Sequence, residues 1–111
     1  MIEYTLARTE NPIIITLSGR LDALNATSFE KAMDDILSKK QDHLVFDLEK
    51  LEYISSAGIR IFLLLIQKLD ASNKRIAILN PCEMVKEVFE MSGLKEYIPI
   101  LHHPDEVNEL K

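Results

Sequence analysis

The sequence predicts an α/β protein, a small mixed β-sheet flanked by helices in the order β-β-α-β-α-β-α-β-(α). Two observations carry this prediction. Apolar residues alternate with polar ones near the N-terminus, which is typical of strands, and later apolar runs alternate with segments that have helical spacing. Strands separated by helices pair in parallel through right-handed crossovers. The 111 residues suit a single domain, residues 1–111.

The first two strands are predicted from alternation. Residues 2–7 alternate apolar with polar, and residues 13–18 do so after the turn at Glu10-Asn11-Pro12. Because the connection is short, we expect the two strands to be antiparallel neighbours. Residues 19–22 are then expected to leave the sheet.

The first helix and the third strand follow. Asn25 is a good N-cap residue, and an apolar stripe with spacing i, i+3, i+4, i+7, i+8 comes after it: Phe29, Ala32, Met33, Ile36 and Leu37. Residues 43–48 form a nearly continuous apolar run, which is typical of a strand buried on both faces.

The remaining elements are bounded by strong local signals. Ser55-Ser56 opens a second helix that extends to about Ser72, and residues 75–79 form another buried strand. Asn80, Pro81 and Glu83 suit the N-cap, N1 and N3 positions of a third helix, which Gly93 ends. Residues 97–101 predict an edge strand because Pro99 lacks a ladder donor, and residues 104–110 predict a short helix.

Composition excludes several classes of function. The net charge of −5 argues against a nucleic-acid partner, which needs a clustered basic face. A single cysteine excludes an internal disulfide and a cysteine-based zinc site, and three histidines and three glycines leave little for a metal cage or a phosphate loop. We therefore expect no metal and no cofactor.

The segments that could meet a membrane are too short or wrongly composed. The N-terminus lacks the basic start and apolar stretch of a signal peptide. The least polar stretch, residues 54–66, is too short to span a bilayer and contains Arg60. We expect a cytoplasmic protein without direct membrane insertion.

Candidate functional residues follow the carboxyl ends of the predicted strands, where sites of open α/β sheets gather. Three loops qualify, and they hold Asp22, residues 47–56 and Asn80. Asp22 suits either a turn or a partner contact. Asp47 is interpreted mainly as a residue that holds the loop backbone.

Three landmarks in the chain together resemble the STAS domain family, the anti-sigma factor antagonist fold. They are Asp47-Leu48 followed after five residues by Ile54-Ser55-Ser56-Ala57-Gly58-Ile59, then Gly19-Arg20-Leu21-Asp22 upstream, and Met91-Ser92-Gly93-Leu94 near the end of the third helix. The resemblance covers nearly the whole chain and implies a regulatory binding module, not an enzyme.

The resemblance also implies a modification site and its partners. In phospho-regulated members a serine at the start of the second helix is phosphorylated by an anti-sigma factor that is itself a serine protein kinase, and a PP2C-type phosphatase resets it. Matching through Gly58 places this serine at Ser56, with Ser55 as the alternative. The implied partner-binding residues are Asp22, Ser55, Ser56, Ala57, Gly58 and Ile59.

Departures from the family pattern keep alternatives open. Ser55 stands where the pattern has aspartate, and Ala57 replaces a second hydroxyl residue, so a scaffold without phosphorylation or a cytoplasmic subunit of a membrane transporter is the alternative. The two serines also suit simple N-capping. Gly58 suits close approach by a partner or a neighbouring backbone, or packing alone.

The sequence gives little support for other kinds of functional site. A receiver domain phosphorylated on Asp47 lacks the acidic pair after the first strand, and an enzyme lacks a paired base and nucleophile. Cys82 is interpreted as a small, partly buried residue. A metal site at His102-His103 has no further ligands beside it.

Overall fold

A computed structural model describes residues 1–40 and 42–109. These residues form five strands, three α-helices and two 3-10 helices. The bounds are β1 Ile2–Thr9, β2 Ile13–Leu21, α1 Ala26–Lys39, β3 Leu44–Ile54, α2 Ser56–Ala71, β4 Ile76–Leu79, α3 Glu83–Met91, a 3-10 helix Leu94–Glu96, β5 Ile100–Leu101 and a 3-10 helix Pro104–Glu109. The predicted order is confirmed; the predicted last helix is 3-10 in form, and its predicted end at Leu110 lies outside the described residues.

The strands form one mixed sheet in the order β1-β2-β3-β4-β5. β1 and β2 are antiparallel, as predicted, and every later pair is parallel. Because each parallel strand is added on the same side of the last one, right-handed crossovers place α1, α2 and α3 on one face of the sheet.

Four phenylalanines mark the core between the helices and the sheet. Phe46 of β3 and Phe62 of α2 have ring centroids 4.9 Å apart, and Phe62 and Phe89 of α3 lie 5.2 Å apart, both in edge-to-face geometry. Phe29 of α1 packs at 6.2 Å from Phe46. One contiguous core therefore joins all three helices to the central strand.

On the opposite face of the sheet a smaller apolar cluster is centred on β3 and β4, with Ile14 of β2 and Leu101 of β5 packed against it. There Val107 of the C-terminal 3-10 helix packs on Val45, Ala77 and Leu79. The prediction that residues 43–48 are buried on both faces is thus confirmed, since Leu44 and Phe46 face the helices.

The predicted ends of β2 and β3 were wrong. Gly19 and Leu21 stay in the sheet and pair with Leu51 and Ile54, so β3 continues to Ile54 instead of ending at Leu48. Two shifts of register interrupt the β2–β3 ladder. These irregularities place buried apolar side chains three residues apart, and the alternation that identifies a strand disappears.

The start of α3 and the extent of β5 were also predicted incorrectly. Cys82, not Asn80, is the N-cap of α3, and Asn80 has a positive φ of 55°. Residues 94–96 form a 3-10 turn after Gly93, whose φ is 82°, so β5 contains only Ile100–Leu101. β5 does lie at an edge, as predicted.

None of the helices in the described part of the chain has the length and apolar character that crossing a bilayer requires.

Candidate functional site

The ends of β2 and β3 bring two predicted site segments together. Leu21 and Ile54 are paired in the last register position, and the Ser55 N–H donates to the Leu21 carbonyl at 2.9 Å. Asp22 and Ser55 therefore follow adjacent strand ends. The loop that starts at Asp22 and the first turn of α2 form one continuous edge of the molecule.

Ser55 and Ser56 have different roles at the start of α2. Ser55 is the N-cap residue, and its hydroxyl accepts a hydrogen bond from the Gly58 N–H at 3.2 Å. Ser56 is the first helical residue and is exposed. The hydroxyl of Ser56 has no hydrogen-bond partner among the described residues, so the capping interpretation applies to Ser55 alone.

The start of α2 also leaves two backbone donors free for an anion. Ser55 satisfies Gly58, and the Ile59 N–H donates to the Ser55 carbonyl at 2.9 Å. The N–H groups of Ser56 and Ala57 have no partner among the described residues. Such donors, together with the helix dipole, favour negative charge.

Gly58 is required by packing inside the protein. A Cβ at this position would lie 2.8 Å from Ile54 Cγ1 and 2.9 Å from Leu21 Cγ. Both side chains are fully buried, so neither can move aside. Of the roles left open for Gly58, packing accounts for it, and the residue itself is buried.

Asp22 organises the loop between β2 and α1. Its Oδ1 accepts hydrogen bonds from the N–H groups of Leu24 and Asn25 at 3.0 and 3.2 Å. In return, Asn25 Oδ1 accepts from the Asp22 N–H at 3.0 Å. Asp22 is therefore a turn acid in this structure, and its carboxylate is half-buried at the same edge as Ser56.

Asn25 was predicted as the N-cap of α1, and only its position is correct. Its side chain makes no cap hydrogen bond with α1. The side chain turns back to the loop, where Nδ2 donates to the Arg20 carbonyl at 2.8 Å. The Oδ1 atom, which a cap would need as its acceptor, instead accepts from the Asp22 N–H, so the amide closes the loop and not the helix.

A groove lies between the first turns of α1 and α2. It has a volume of about 280 Å³ and is lined by small and apolar side chains with two charges at its rim: Ala23, Ala26, Thr27, Glu30, Ala57, Arg60, Ile61 and Leu64. Leu24 stands at the end of the loop beside Asp22 and is 97% exposed. Sequence reasoning missed Leu24, Thr27 and Arg60, because no motif singles them out.

The apolar residues of α2 that exceed one stripe are divided between burial and exposure. Phe62 and Leu65 face the core, Leu64 is partly buried at the groove, and Leu63 is 40% exposed. Ile59 is half-buried and packs against the core. Ala57 is also half-buried and contributes to the groove.

Asp47 and Asn80 lie away from this edge. Asp47 pairs with Thr16 and Leu79 in the middle of the sheet, seven residues before Ile54 and thus roughly 20 Å along the strand. Its Oδ1 accepts from the Glu49 N–H at 3.2 Å, where the ladder shifts register. Asp47 holds backbone, as interpreted, and Asn80 donates to Glu49 at 3.4 Å.

The cysteine and histidines form no second centre within residues 1–40 and 42–109. The Cys82 thiol is half-buried and lies 3.4 Å from the Leu51 carbonyl. His103 Nδ1 lies 3.5 Å from Asp105 in an exposed pair. The described residues contain no cluster of three or more metal-ligating side chains.

Comparison with known proteins identifies the family. The STAS domain profile matches residues 3–107. A protein named as an anti-sigma factor antagonist, BtrV of Bordetella bronchiseptica, is 30% identical over 99 residues, which are 89% of this chain and 85% of that one.

Solved structures agree in fold. An anti-sigma factor antagonist from Mycobacterium paratuberculosis superposes with a TM-score of 0.84 at 20% identity, covering 96% of this chain and 91% of that one. The antagonist SpoIIAA in its unphosphorylated form gives a TM-score of 0.80 at 21% identity, covering 98% and 95%. The phosphorylated form of SpoIIAA, a Bacillus cell fate determinant, gives 0.72 at 20% identity and covers 98% of each chain.

Proposed function

We propose that this chain, which belongs to the STAS domain family, is an anti-sigma factor antagonist controlled by phosphorylation of Ser56. Unmodified, it binds a serine-kinase anti-sigma factor or a related switch kinase. Phosphorylated, it is released, and a PP2C-type phosphatase resets it. In this proposal residues 1–111 form one cytoplasmic domain that is a substrate and a binder but not a catalyst.

The observation that carries the proposal is that the two serines have different roles. Ser55 supplies the helix cap, while the hydroxyl of Ser56 is exposed and unused. A phosphate on Ser56 therefore removes no contact that holds the fold. The site suits a modification that changes recognition and preserves structure.

The surroundings of Ser56 favour a phosphate in the free protein. The N–H groups at the start of α2 attract an anion. Arg60 follows Ser56 by four residues and is exposed, so the two side chains lie on the same side of the helix. Phosphoserine carries about −1.5 to −2 charge at neutral pH. Asp22, across the strand ends, opposes this attraction.

The same phosphate would disfavour a bound partner. The proposed contact surface consists of Asp22, Ser55, Ser56, Ala57, Ile59, Leu24 and the groove between α1 and α2, with Gly58 beneath it. A partner that covers this surface must strip water from whatever Ser56 carries. Removing water from a doubly charged group costs several kcal/mol when the partner offers no matching cation, which is enough to reverse binding.

Phosphopeptide mapping tests the proposal. The chain is incubated with ATP and a cognate anti-sigma kinase, and the modified residue is located by mass spectrometry in three proteins: the parent, Ser55→Ala and Ser56→Ala. We expect phosphate on Ser56 in the parent and in Ser55→Ala, and none in Ser56→Ala. Phosphate on Ser55 alone would overturn the assignment by one residue.

The second candidate is a STAS scaffold, or a cytoplasmic transporter subunit, that is not phosphorylated. The observation that favours it is Ser55 in the position where the family pattern has an acid. Absence of phosphate from both serines, with the partner still bound, would select this candidate.

A further inference from the structure

A second groove lies between β1 and α1, on the other side of α1 from Ser56. Its volume is about 710 Å³, within the range of about 300–1,000 Å³ that small-molecule sites occupy. The lining residues are Tyr4, Leu6, Thr9, Glu10, Ile13, Ser28, Lys31, Ala32, Asp35, Ile36, Lys39 and Lys40.

The groove exists because the helix layer stops short of β1. Tyr4 and Leu6 pair with Leu17 and Ile15 of β2, and residues directly opposite in an antiparallel pair share a face. Leu17 and Ile15 are completely buried beneath the helices, whereas Tyr4 is 47% and Leu6 is 43% exposed. The face of the sheet that is buried beneath the helices at β2 is therefore exposed to solvent at β1, where it forms the apolar floor of the groove.

One row of side chains on α1 forms the wall of the groove. Ser28, Ala32 and Ile36 are spaced by four residues, so they lie along one side of the helix, and Lys40 follows as the C-cap residue. Twelve residues of helix extend about 18 Å. The groove is thus long and narrow, and Ala32 leaves its middle open.

The charge of the groove is opposite to that of the chain. Three lysines, Lys31, Lys39 and Lys40, line it together with two acids, Glu10 and Asp35, while the chain has 18 acids and 13 bases. Lys40 contacts Glu10 at 3.4 Å in an exposed pair. No carboxylate of the described residues lies within ion-pairing distance of Lys31 or Lys39.

We propose that this groove binds an amphipathic carboxylate with an alkyl chain, that is, a fatty acid. The carboxylate lies against Lys39 at the end that Thr9 and the Lys40–Glu10 pair also line. The alkyl chain extends over Leu6, Ile36 and Ala32 toward Tyr4. A second copy of the chain fits poorly, because a symmetric dimer over this groove would bring the same three lysines face to face.

Titration with dodecanoate below its micelle concentration tests the proposal. Backbone amide shifts in two-dimensional NMR should change at Tyr4 to Thr9 and along α1, and the start of α2 should stay unchanged. Leu6→Glu should weaken binding at least tenfold, because it places a carboxylate against the alkyl chain. Leu63→Glu, at a leucine of nearly equal exposure on α2, is the matched control and should bind like the parent.

Charge is tested with head groups and a double variant. Dodecanoate should bind at least tenfold more tightly than dodecyltrimethylammonium, and Lys39→Glu with Lys40→Glu should remove that preference. Equal affinity for the two head groups, unchanged binding by Leu6→Glu, or the absence of shifts in the groove would each overturn the proposal. A dimer in sedimentation that Leu6→Glu dissociates would overturn it in favour of a second copy.

Discussion

Of the two adjacent serines at the start of α2, one caps the helix and the other is exposed. Ser55 has the extended backbone of an N-cap and binds the Gly58 N–H, while Ser56 begins the helix with a free hydroxyl. The local sequence allows either serine to be the cap. The hydrogen bond from the Ser55 N–H to the last carbonyl of β2 decides which serine becomes the cap.

Replacing each serine by alanine should separate the two roles. Ser55→Ala loses the cap and should lower the free energy of unfolding by about 1 kcal/mol. Ser56→Ala removes no contact and should stay within about 0.5 kcal/mol of the parent. Urea melts of both variants measure this, and a larger loss for Ser56→Ala would contradict the assignment of the cap.

Gly58 makes a second prediction at this scale. Gly58→Ala gains up to about 1 kcal/mol of helix propensity, but its Cβ meets Leu21 and Ile54 in a closed site. Overpacking of a core typically costs about 1–3 kcal/mol, so we expect a net loss of stability.

Gly93→Ala is the matched control for Gly58→Ala. Gly93 has a positive φ of 82°, and no atom lies within 4 Å of the place that a Cβ would take, so its cost of about 1–2 kcal/mol comes from backbone strain alone. A variant Leu21→Ala removes one of the two overlapping side chains, so it should reduce the cost of Gly58→Ala and leave the cost of Gly93→Ala unchanged. If Gly58→Ala is more stable than the parent, packing is not the reason for this glycine.

At the scale of elements, Asp42 ties the β1–β2 turn to the start of β3. Its carboxylate accepts from the N–H groups of Asn11 at 2.9 Å and His43 at 2.7 Å. Burial opposes ionisation, but these two hydrogen bonds and the positive charges of Lys74 and His43 outweigh it and hold the pKa of Asp42 below its ordinary value.

This lowered pKa predicts a dependence of stability on pH. The unfolded pKa is about 3.9, and the folded pKa lies below it, so the carboxylate contributes fully above about pH 4 and its contribution is lost as pH falls through the folded pKa. Asp42→Asn should cost about 1–3 kcal/mol at pH 7. Urea melts between pH 7 and about pH 3 should find the two proteins converging in acid; parallel curves would contradict the role of Asp42.

Element boundaries were predictable where local chemistry decides them. Gly93 adopts the left-handed conformation that ends α3, and Ser55 caps α2. The ends of β2 and β3 were not predictable, because register shifts remove the alternation that marks a strand. Asn80 is not the cap because α3 begins only at Glu83, and the backbone of Asn80 is left-handed with a φ of 55°.

At the scale of the whole molecule, the order of strands determines which surfaces exist. Because each parallel strand follows the previous one in the same direction across the sheet, all three helices lie on one face. The helices α1 and α2 begin at the edge where β2 and β3 end. Asp22 and Ser56 could be placed at one edge from the sequence, since both follow parallel strands. The grooves beside α1 could not, because they depend on how far the helices extend over the sheet.

Asp22 supplies a prediction at this scale, because its loop supports one half of the proposed contact surface. Asp22→Asn keeps an oxygen that accepts from Leu24 and Asn25 but removes the charge, whereas Asp22→Ala removes both. Partner affinity should fall more for Asp22→Ala if the loop conformation matters. Equal, undiminished binding by both variants in calorimetric titration would exclude this loop from the surface.

The central claim is that charge at Ser56 controls partner binding without changing the fold, and Ser56→Asp tests it most directly. A carboxylate in the first turn of α2 is favoured by the helix dipole, so the free energy of unfolding should stay within about 1 kcal/mol of the parent. Titration with the cognate anti-sigma factor should find at least a tenfold loss of affinity, about 1.4 kcal/mol. Ser56→Asn, similar in size but uncharged, should bind much closer to the parent. Binding by Ser56→Asp as tight as that of the parent would contradict the claim.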